Sequence, residues 1–345
     1  MVERVDSIKS PGLSVIMCVY NGESFLKEAV ESVLRQSYTS FEFIVVNDGS
    51  TDRSAGILDT FDDPRIKRID NRSNLGLIRS LNIGLDVAKG EFIARMDADD
   101  ICAPDRFQKQ LSFLKDNPDI GVCGSWVKIV GEEATYKFPL TNDEIMAALL
   151  EYNAMAHPSV LFRSKLLKES GLRYDSQFPG AEDYELWSRM IFLTRFANIP
   201  EPLLFYRRHG QQVTQNKKKL VETSSGRIKL GLLRPLNIEP TDRESMVHLF
   251  LFNDQFIELK GGSILAEADE WMYKIVSANR LCRKFRESYL LRLWKKKLLI
   301  TCIDRYGLKE WAVLKRSRCF QLAGVTTWEK SKIFVKCLLR KRVGL

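Results

Sequence analysis

Two aspartates stand two residues apart in Arg95-Met96-Asp97-Ala98-Asp99-Asp100. They follow the stretch from Glu91 to Met96, which reads as a buried strand that runs directly into Asp97. Carboxylates placed this way can hold a hard divalent cation, which in turn bridges diphosphate oxygens. Ligands that are all oxygen suit Mg²⁺ or Mn²⁺. A DxD by itself is usually a solvated turn, so its place at the end of a buried strand is what directs it toward a ligand. Two absences narrow the chemistry. No GxGxxG follows the first strand, which disfavours a dinucleotide-dependent dehydrogenase, and no GxxxxGK[ST] is present, which excludes a P-loop. Positive charge for bound phosphates must then come from a metal and from side chains. No Ser–His or Cys–His pair suggests a covalent intermediate.

The elements that must position this motif alternate between strand and helix over the first 130 residues. Leu13 to Tyr20 (LSVIMCVY) is nearly all apolar, as a strand covered on both faces would be. Phe25, Leu26, Ala29, Val30, Val33 and Leu34 recur with helical spacing. Phe41 to Val46 predicts a second strand, Asp52 to Phe61 a helix, Ile66 to Ile69 a short strand and Gly76 to Ala88 a helix. Pro104 to Asn117 predicts another helix, with proline near its start where it is favoured. Such alternation implies parallel strands joined by crossover helices, and ligands of such sheets bind beyond the carboxyl ends of the strands. Three polar clusters fall there: Tyr20-Asn21-Gly22, Asn47-Asp48-Gly49-Ser50 and Asp97 to Asp100. One such cluster is an ordinary turn; three at one edge argue for a site. From Gly121 to Tyr206 the pattern is mixed, with strand-like stretches at Gly121 to Val130, Ser159 to Phe162 and Leu203 to Tyr206. An acid-rich helix begins near Ala181. After Lys217-Lys218-Lys219 the character turns helical, which divides the chain into an α/β part, 1–218, and a basic, mainly helical part, 219–345.

The 345 residues can bury a full core, and hydrophobic and charged fractions of 45% and 28% are ordinary for a globular protein. MVERVDSIKS carries no apolar h-region, so no secretory signal is expected. No apolar run approaches the roughly 20 residues needed to span a bilayer. Seven scattered cysteines without a CxxC pair suggest neither a disulfide framework nor a zinc site, and fit a reducing cytoplasm. The net charge of +9 is uneven. From Leu281 to Leu345, 18 Lys and Arg stand against four acids, so the preceding 280 residues carry −5. The stretch from Lys284 to Ile303 sets Trp294 beside Lys295-Lys296-Lys297, and Trp328 to Arg342 mixes apolar and basic residues likewise. Basic amphipathic helices can lie on anionic lipid, with Trp294 inserting. A helical subdomain with a solvated basic face is the other reading, and both can hold.

SVIMCVYNGESFLKEAVESVLRQSY, FEFIVVNDGSTDRS, NLGLIRSLNIGLDVAKGEFIARMDADD and GAEDYELWSRM, in that order, resemble glycosyltransferase family 2. The matches run from about Leu13 to His209, and nothing beyond residue 218 takes part. The resemblance implies the GT-A fold, a Rossmann-like and mostly parallel central sheet with flanking helices. It implies that Tyr20 and Asp48 hold a uracil-type base, by ring contact and by accepting the base N–H. It places Asp97 and Asp99 at the ribose and the metal-bound diphosphate, with His209 as a further metal ligand. Asp183 becomes the general base, beside Glu182 among the donor-binding residues, and Arg79 a donor contact. His157, before Pro158, is expected to be structural.

The activity this implies is a single in-line displacement that inverts the anomeric carbon, so an α-linked donor gives a β-linked product. The donor would be a UDP-sugar carrying glucose, galactose or an N-acetylhexosamine, with Mn²⁺ or Mg²⁺ as cofactor. The acceptor would be a hydroxyl of a lipid-linked saccharide in bacterial O-antigen or capsule synthesis. The enzyme would be cytoplasmic, peripheral on the inner face of the cell membrane, with no nucleic-acid partner. Two other classes stand against it. A nucleotidyltransferase would carry a Gly-rich, Arg-containing loop after the first strand, and VYNGESFL is not one. A non-catalytic binding protein would have no need of the DxD and the Glu-Asp pair.

Overall fold

Leu13–Val19 (β1) and Phe41–Asn47 (β2) are apolar on both faces because helices cover both sides of their sheet; β2 is buried along its whole length. The computed structural model describes residues 11–210, 218–252 and 264–305, with positions 316, 318–322, 324, 326, 328 and 331. Leu26–Leu34 (α1) follows β1, and Ser54–Leu58 (α2) follows β2. Ile66–Asp70 (β3), Leu77–Val87 (α3) and Phe92–Asp97 (β4) complete a parallel set in the order β3-β2-β1-β4. The two-residue strand Ile101–Cys102 (β5) lies between β4 and the helix Arg106–Asp116 (α4), so the DxD opens into a strand before the helix.

Beyond β4 the sheet becomes mixed. Ile120–Ile129 (β6) bends back as a hairpin to Thr135–Tyr136 (β7), and Asn142–Ala148 (α5) follows. Leu161–Arg163 (β8) runs antiparallel between β4 and β6. After Ser164–Ser170 (α6) and Glu182–Met190 (α7), the 12-residue strand Arg195–Tyr206 (β9) runs parallel to β6 and antiparallel to β5. The sheet therefore has nine strands, in the order β3-β2-β1-β4-β8-β6-β9-β5, with β7 on β6. The strand-like stretch expected at Ser159 to Phe162 is the short antiparallel β8, entered from the 3₁₀ turn His157–Ser159.

The chain forms two compact units. One holds residues 1–145 and 154–221; the other holds 146–153 together with 222–345. The expected boundary after residue 218 falls at the start of Lys218–Gly231 (α8), and nothing in the sequence pattern marks 146–153. The second unit contains Asp242–Phe252 (α9), Ile264–Cys282 (α10), Glu287–Arg305 (α11) and Arg318–Leu322 (α12). Among the described residues, no helix is long and apolar enough to cross a membrane.

The placement of Trp294 corrects the sequence reading. It is 1% exposed, and Trp271, Met272, Ile275, Val276, Phe285 and Leu290 of the same unit are buried as well. Leu290, Leu293, Trp294 and Lys297 follow helical spacing and are all buried, so Trp294 lies on the stripe that faces inward. Lys297 is buried there because Glu151 accepts its Nζ at 2.7 Å; Lys296 reaches the same carboxylate at 3.1 Å. The Trp328 to Arg342 stretch lies, except for Trp328 and Ser331, outside the described residues. Truncating Trp294 to Ala should destabilise the helical unit by about 3–5 kcal/mol. Urea unfolding followed by circular dichroism would measure it, and a loss under about 1 kcal/mol would contradict the core placement.

Candidate active site

Strand register brings the three polar clusters to one edge. Val19 pairs with Asn47, Asn47 with Asp70, and Cys18 with Asp97, so β1, β2, β3 and β4 end side by side. The loops after β1 and β2 are stitched together. Asn21 N donates to Ser50 Oγ at 3.0 Å, Gly22 N to Ser54 Oγ at 2.9 Å and Glu23 N to Asp52 Oδ2 at 2.9 Å. Thr51 N returns a bond to Asn21 Oδ1 at 2.8 Å. Asp48 is buried and organises the loop before α3: Asn71 Nδ2 and Leu75 N each donate to its Oδ1 at 2.8 Å, and Gly76 N to its Oδ2 at 2.9 Å. Gly49 lets that loop pack close. Its φ is +67°, and a Cβ there would sit 2.5 Å from the Ser73 carbonyl carbon. Tyr20 leaves β1 half exposed, and Arg79 is exposed on α3.

Beside these loops, carboxylate oxygens of Asp97, Asp99 and Asp100 lie within 4.8 Å of one another. Asp100 is fully buried. Its Oδ1 accepts the Arg207 backbone N–H at 3.0 Å, while its Oδ2 has no partner among the described residues. His209 Nε2 lies 2.8 Å from Asp99 Oδ2, and its ring packs against Phe25 with centroids 4.9 Å apart. Arg207 Nε donates to the Asp99 carbonyl at 3.0 Å, and its guanidinium covers Phe25 and pairs with Glu28 at 2.5 Å. Burial, and then the charge of Asp97, raise the Asp99 carboxyl above its ordinary range against the pull of His209. Asp100 is raised further, by burial and by both neighbouring aspartates. Crowded carboxyls that suppress one another's ionisation, one with an orphaned buried oxygen, are the donor set that a hard divalent cation relieves. The residues fit such an ion.

A second acidic group lies at the start of α7. Gly180, at φ +76°, turns the chain into Ala181-Glu182-Asp183. Asp183 is half-buried, and its Oδ1 accepts the Tyr184 N–H at 2.7 Å. Glu182 is 7% exposed, and burial, aided by the Asp183 charge, pushes its carboxyl up to about 7. His157 Nε2 and the Tyr174 hydroxyl are 2.8 Å apart, and Trp187 packs edge-on against the imidazole. Burial holds His157 well below its usual range, so it stays neutral. Arg95 is 3% exposed, pairs with Asp97 and acts electrostatically on Tyr174, His157 and Glu182.

The structure thus gathers Asp97, Asp99 and Asp100 around one point, with His209 on Asp99, and puts Tyr20 and Asp48 at the same strand ends; Glu182 and Asp183 stand at the start of α7. Among the described residues, no hydrogen bond or ion pair joins Arg79 to this group. Sequence reasoning missed Asp100, Arg207 and Arg95. A charged residue inside the otherwise apolar Phe92–Met96 run was the available signal for Arg95. Asp100 stood in the polar cluster after β4 with no role of its own, and the contacts of Arg207 cross more than 100 positions of sequence.

Residues 14–171 match the family model "Glycosyl transferase family 2". An uncharacterized glycosyltransferase of Haemophilus influenzae is 39% identical over 218 residues, covering 59% of this chain and 68% of that protein. The chain belongs to glycosyl transferase family 2. Similarity extends to the amylovoran biosynthesis glycosyltransferase AmsE of Erwinia amylovora, 31% identical with 59% and 79% covered. The O-antigen biosynthesis glycosyltransferase WbnJ of Escherichia coli is 29% identical, with 62% and 86% covered. Among solved structures, S. aureus TarS 1–349 in complex with UDP-GlcNAc superposes with a TM-score of 0.58 at 18% identity, covering 83% of this chain and 87% of that one. This likeness shows the GT-A fold. The protein is an enzyme, a glycosyltransferase with a helical C-terminal region, which sets aside the nucleotidyltransferase and binding-protein readings.

The raised Glu182 carboxyl gives the glycosyltransferase a pH signature. Unfolded, this group ionises near 4.5; folded, it keeps its proton to about 7. The folded state binds the extra proton in that window, so stability falls as pH rises through it, by about 1–3 kcal/mol. Asp99 and Asp100 add slopes of the same sign, which a comparison cancels. Glu182→Gln should therefore lose less melting temperature than the parent between pH 5 and pH 8. Parallel curves in thermal melts would mean that Glu182 ionises normally.

Proposed function

We propose that this glycosyltransferase moves a hexosyl group from a UDP-sugar to a hydroxyl of a lipid-linked saccharide, with inversion, in the synthesis of a bacterial surface polysaccharide. The observation that carries the reading is the meeting of Asp97, Asp99, Asp100 and His209 beyond the carboxyl end of β4, on the same edge as Tyr20 and Asp48. AmsE and WbnJ, both named for polysaccharide assembly, support the acceptor class, and the UDP-GlcNAc complex of TarS supports a uridine donor.

Tyr20 offers its ring to the base, and Asp48, already anchoring the loop from Asn71 to Gly76, offers carboxylate lone pairs to a base N–H. Asp97, Asp99 and Asp100 with His209 would hold Mn²⁺ or Mg²⁺, which supplies positive charge to the diphosphate leaving group. Asp183 takes the proton of the acceptor hydroxyl as it attacks the anomeric carbon. Buried Glu182 beside it excludes water and keeps that end of the site weakly charged. Among the described residues no Ser–His or Cys–His pair offers a nucleophile, and one displacement accounts for the reaction.

Incubation with Mn²⁺ and a panel of UDP-hexoses, reading released UDP, tests this. Asp97→Ala, Asp99→Ala or EDTA should abolish release, with activity restored when metal is returned after EDTA. Full activity after exhaustive dialysis against EDTA would rule out a metal-assisted site. Asp183→Asn should slow turnover by about 10²–10⁴ with donor binding kept. If donor affinity collapsed and saturated turnover did not, Asp183 would be a binding residue.

A peripheral place on the inner face of the cell membrane is part of the same proposal. With Trp294 buried and Lys296 and Lys297 on Glu151, its support moves to the turn between α10 and α11. There Arg283, Lys284 and Arg286 are exposed, next to Leu281 at 86% exposure. Each basic residue near an anionic surface contributes at most about 1 kcal/mol. Changing all three to Glu should release the full chain from phosphatidylserine-containing vesicles in a co-sedimentation assay. Undiminished sedimentation of the folded variant would remove this turn as the contact.

A further inference from the structure

Asp48 follows β2 with its carboxylate already largely occupied. It is buried, and its own N–H donates to the Val19 carbonyl at 2.8 Å, which ties it to the end of β1. Three donors reach its side chain. Asn71 Nδ2 and Leu75 N each lie 2.8 Å from Oδ1. Gly76 N lies 2.9 Å from Oδ2 and is shared with Asn74 Oδ1 at 2.9 Å. A carboxylate offers about four lone-pair sites, two on each oxygen. Both sites on Oδ1 are taken, and among the described residues one site on Oδ2 is left.

The sheet and α3 fix the first of these donors. Asn71 N donates to the Asn47 carbonyl at 2.9 Å, which continues the pairing of β2 with β3. Asn71 Nδ2 also donates to Ser80 Oγ, at 3.0 Å, on the fully buried face of α3. With one amide hydrogen on a carboxylate and the other on a hydroxyl, the amide cannot flip, because its oxygen would then face Asp48. The two backbone donors are held as firmly. Gly49 packs so close to their loop that a Cβ there would lie 2.5 Å from the Ser73 carbonyl carbon and 2.7 Å from Asn74 N. Two exposed apolar residues adjoin this acid, Tyr20 just beyond Val19 and Leu75 in the loop itself. A buried acceptor between apolar side chains is the setting that a flat heterocycle requires.

We propose that Asn71 is a positioning residue that sets the base specificity of the donor site: by filling Oδ1 it leaves Asp48 a single acceptor position, which matches the one imide N–H of uracil and not the adjacent N1–H and N2–H of guanine. The inference rests on the transfer reading above, in which Asp48 takes a base N–H. A guanine seated here would bury one N–H against an oxygen that is already saturated, and an unpaired buried donor is costly. Asn71 thus discriminates without touching the base, by limiting what Asp48 can accept.

The test uses the full chain, parent and Asn71→Ala, with binding of UDP, IDP and GDP in the presence of Mn²⁺ followed by calorimetry, and thermal melts to check the fold. IDP differs from GDP only in lacking the 2-amino group. The ratio of their affinities therefore reads the second N–H apart from the size of a purine. The parent should prefer UDP, and should bind IDP about tenfold or more tightly than GDP, the scale of one buried donor left unpaired. Asn71→Ala opens Oδ1 and should bring GDP level with IDP or ahead of it. A parent that binds GDP as well as IDP would overturn the proposal. So would an unchanged ratio in the folded variant, including an equal loss for all three nucleotides, which marks a merely structural residue. Binding of UDP with neither purine, in parent and variant alike, would also overturn it, because pocket size would then make the choice. If Asn71→Ala does not fold, Ser80→Ala decides: it frees the Asn71 amide to turn away from Asp48, so the ratio should narrow, and an unchanged ratio overturns the proposal. A parent that binds UDP upholds the donor reading whatever the ratio, whereas one that binds none of the three refutes that reading and this inference with it.

Discussion

Three carboxylates within 4.8 Å of one another at the end of a buried strand are the constraint that the rest of this fold answers. Unit charges at such a distance repel by about 3–4 kcal/mol at an effective dielectric of 20. A chain that keeps them together must supply donors and charge from elsewhere. Arg95 does so from within β4, while the Arg207 backbone N–H and the His209 ring do so from the far end of β9. That need accounts for the length of β9. It starts beside β6, runs 12 residues and ends where Arg207 and His209 can turn back over Phe25 onto Asp99 and Asp100. The raised carboxyls of Asp99 and Asp100 mark the repulsion these donors leave unrelieved, and a cation between them would relieve it.

The parallel half of the fold and the position of the acidic motif were legible because their signals are local. Continuous apolar runs mark β1, β2 and β4, helical spacing marks α1, and the polar clusters sit where strands must end. What escaped notice depends on distant pairing. Arg207 meets Asp100 across 107 positions, and no spacing rule connects them. The strand near Phe162 was legible, but not that β8 runs antiparallel between β4 and β6. Asp48 was legible as a strand-end acid, yet its present hydrogen bonds go to Asn71, Leu75 and Gly76, which makes it a loop anchor as well as a candidate base contact.

The basic C-terminal region shows how composition misleads when faces are not separated. Trp294 beside three lysines suits a lipid-facing cluster as well as a helical subdomain with a solvated basic face. The helix instead turns Trp294 and Lys297 inward, and one glutamate, Glu151, takes the charge of Lys297 as it is buried. Lysine on an apolar stripe is readable only when its acid partner is known, and that partner lies more than 140 positions earlier in the chain.

That glutamate belongs to the segment 146–153, which sits with residues 222–345 although the chain leaves again for β8 and α7 before returning. The helical unit is therefore not a cassette. Genetic recombination that joined this tail to another catalytic part by a single crossover would bring Lys296 and Lys297 without Glu151. Lys297 would then be a buried ammonium with no counter-charge from this segment, on the same helix face as Trp294. An inheritable exchange of tails between relatives requires two crossovers, or a host that already carries an acid in the loop after α5.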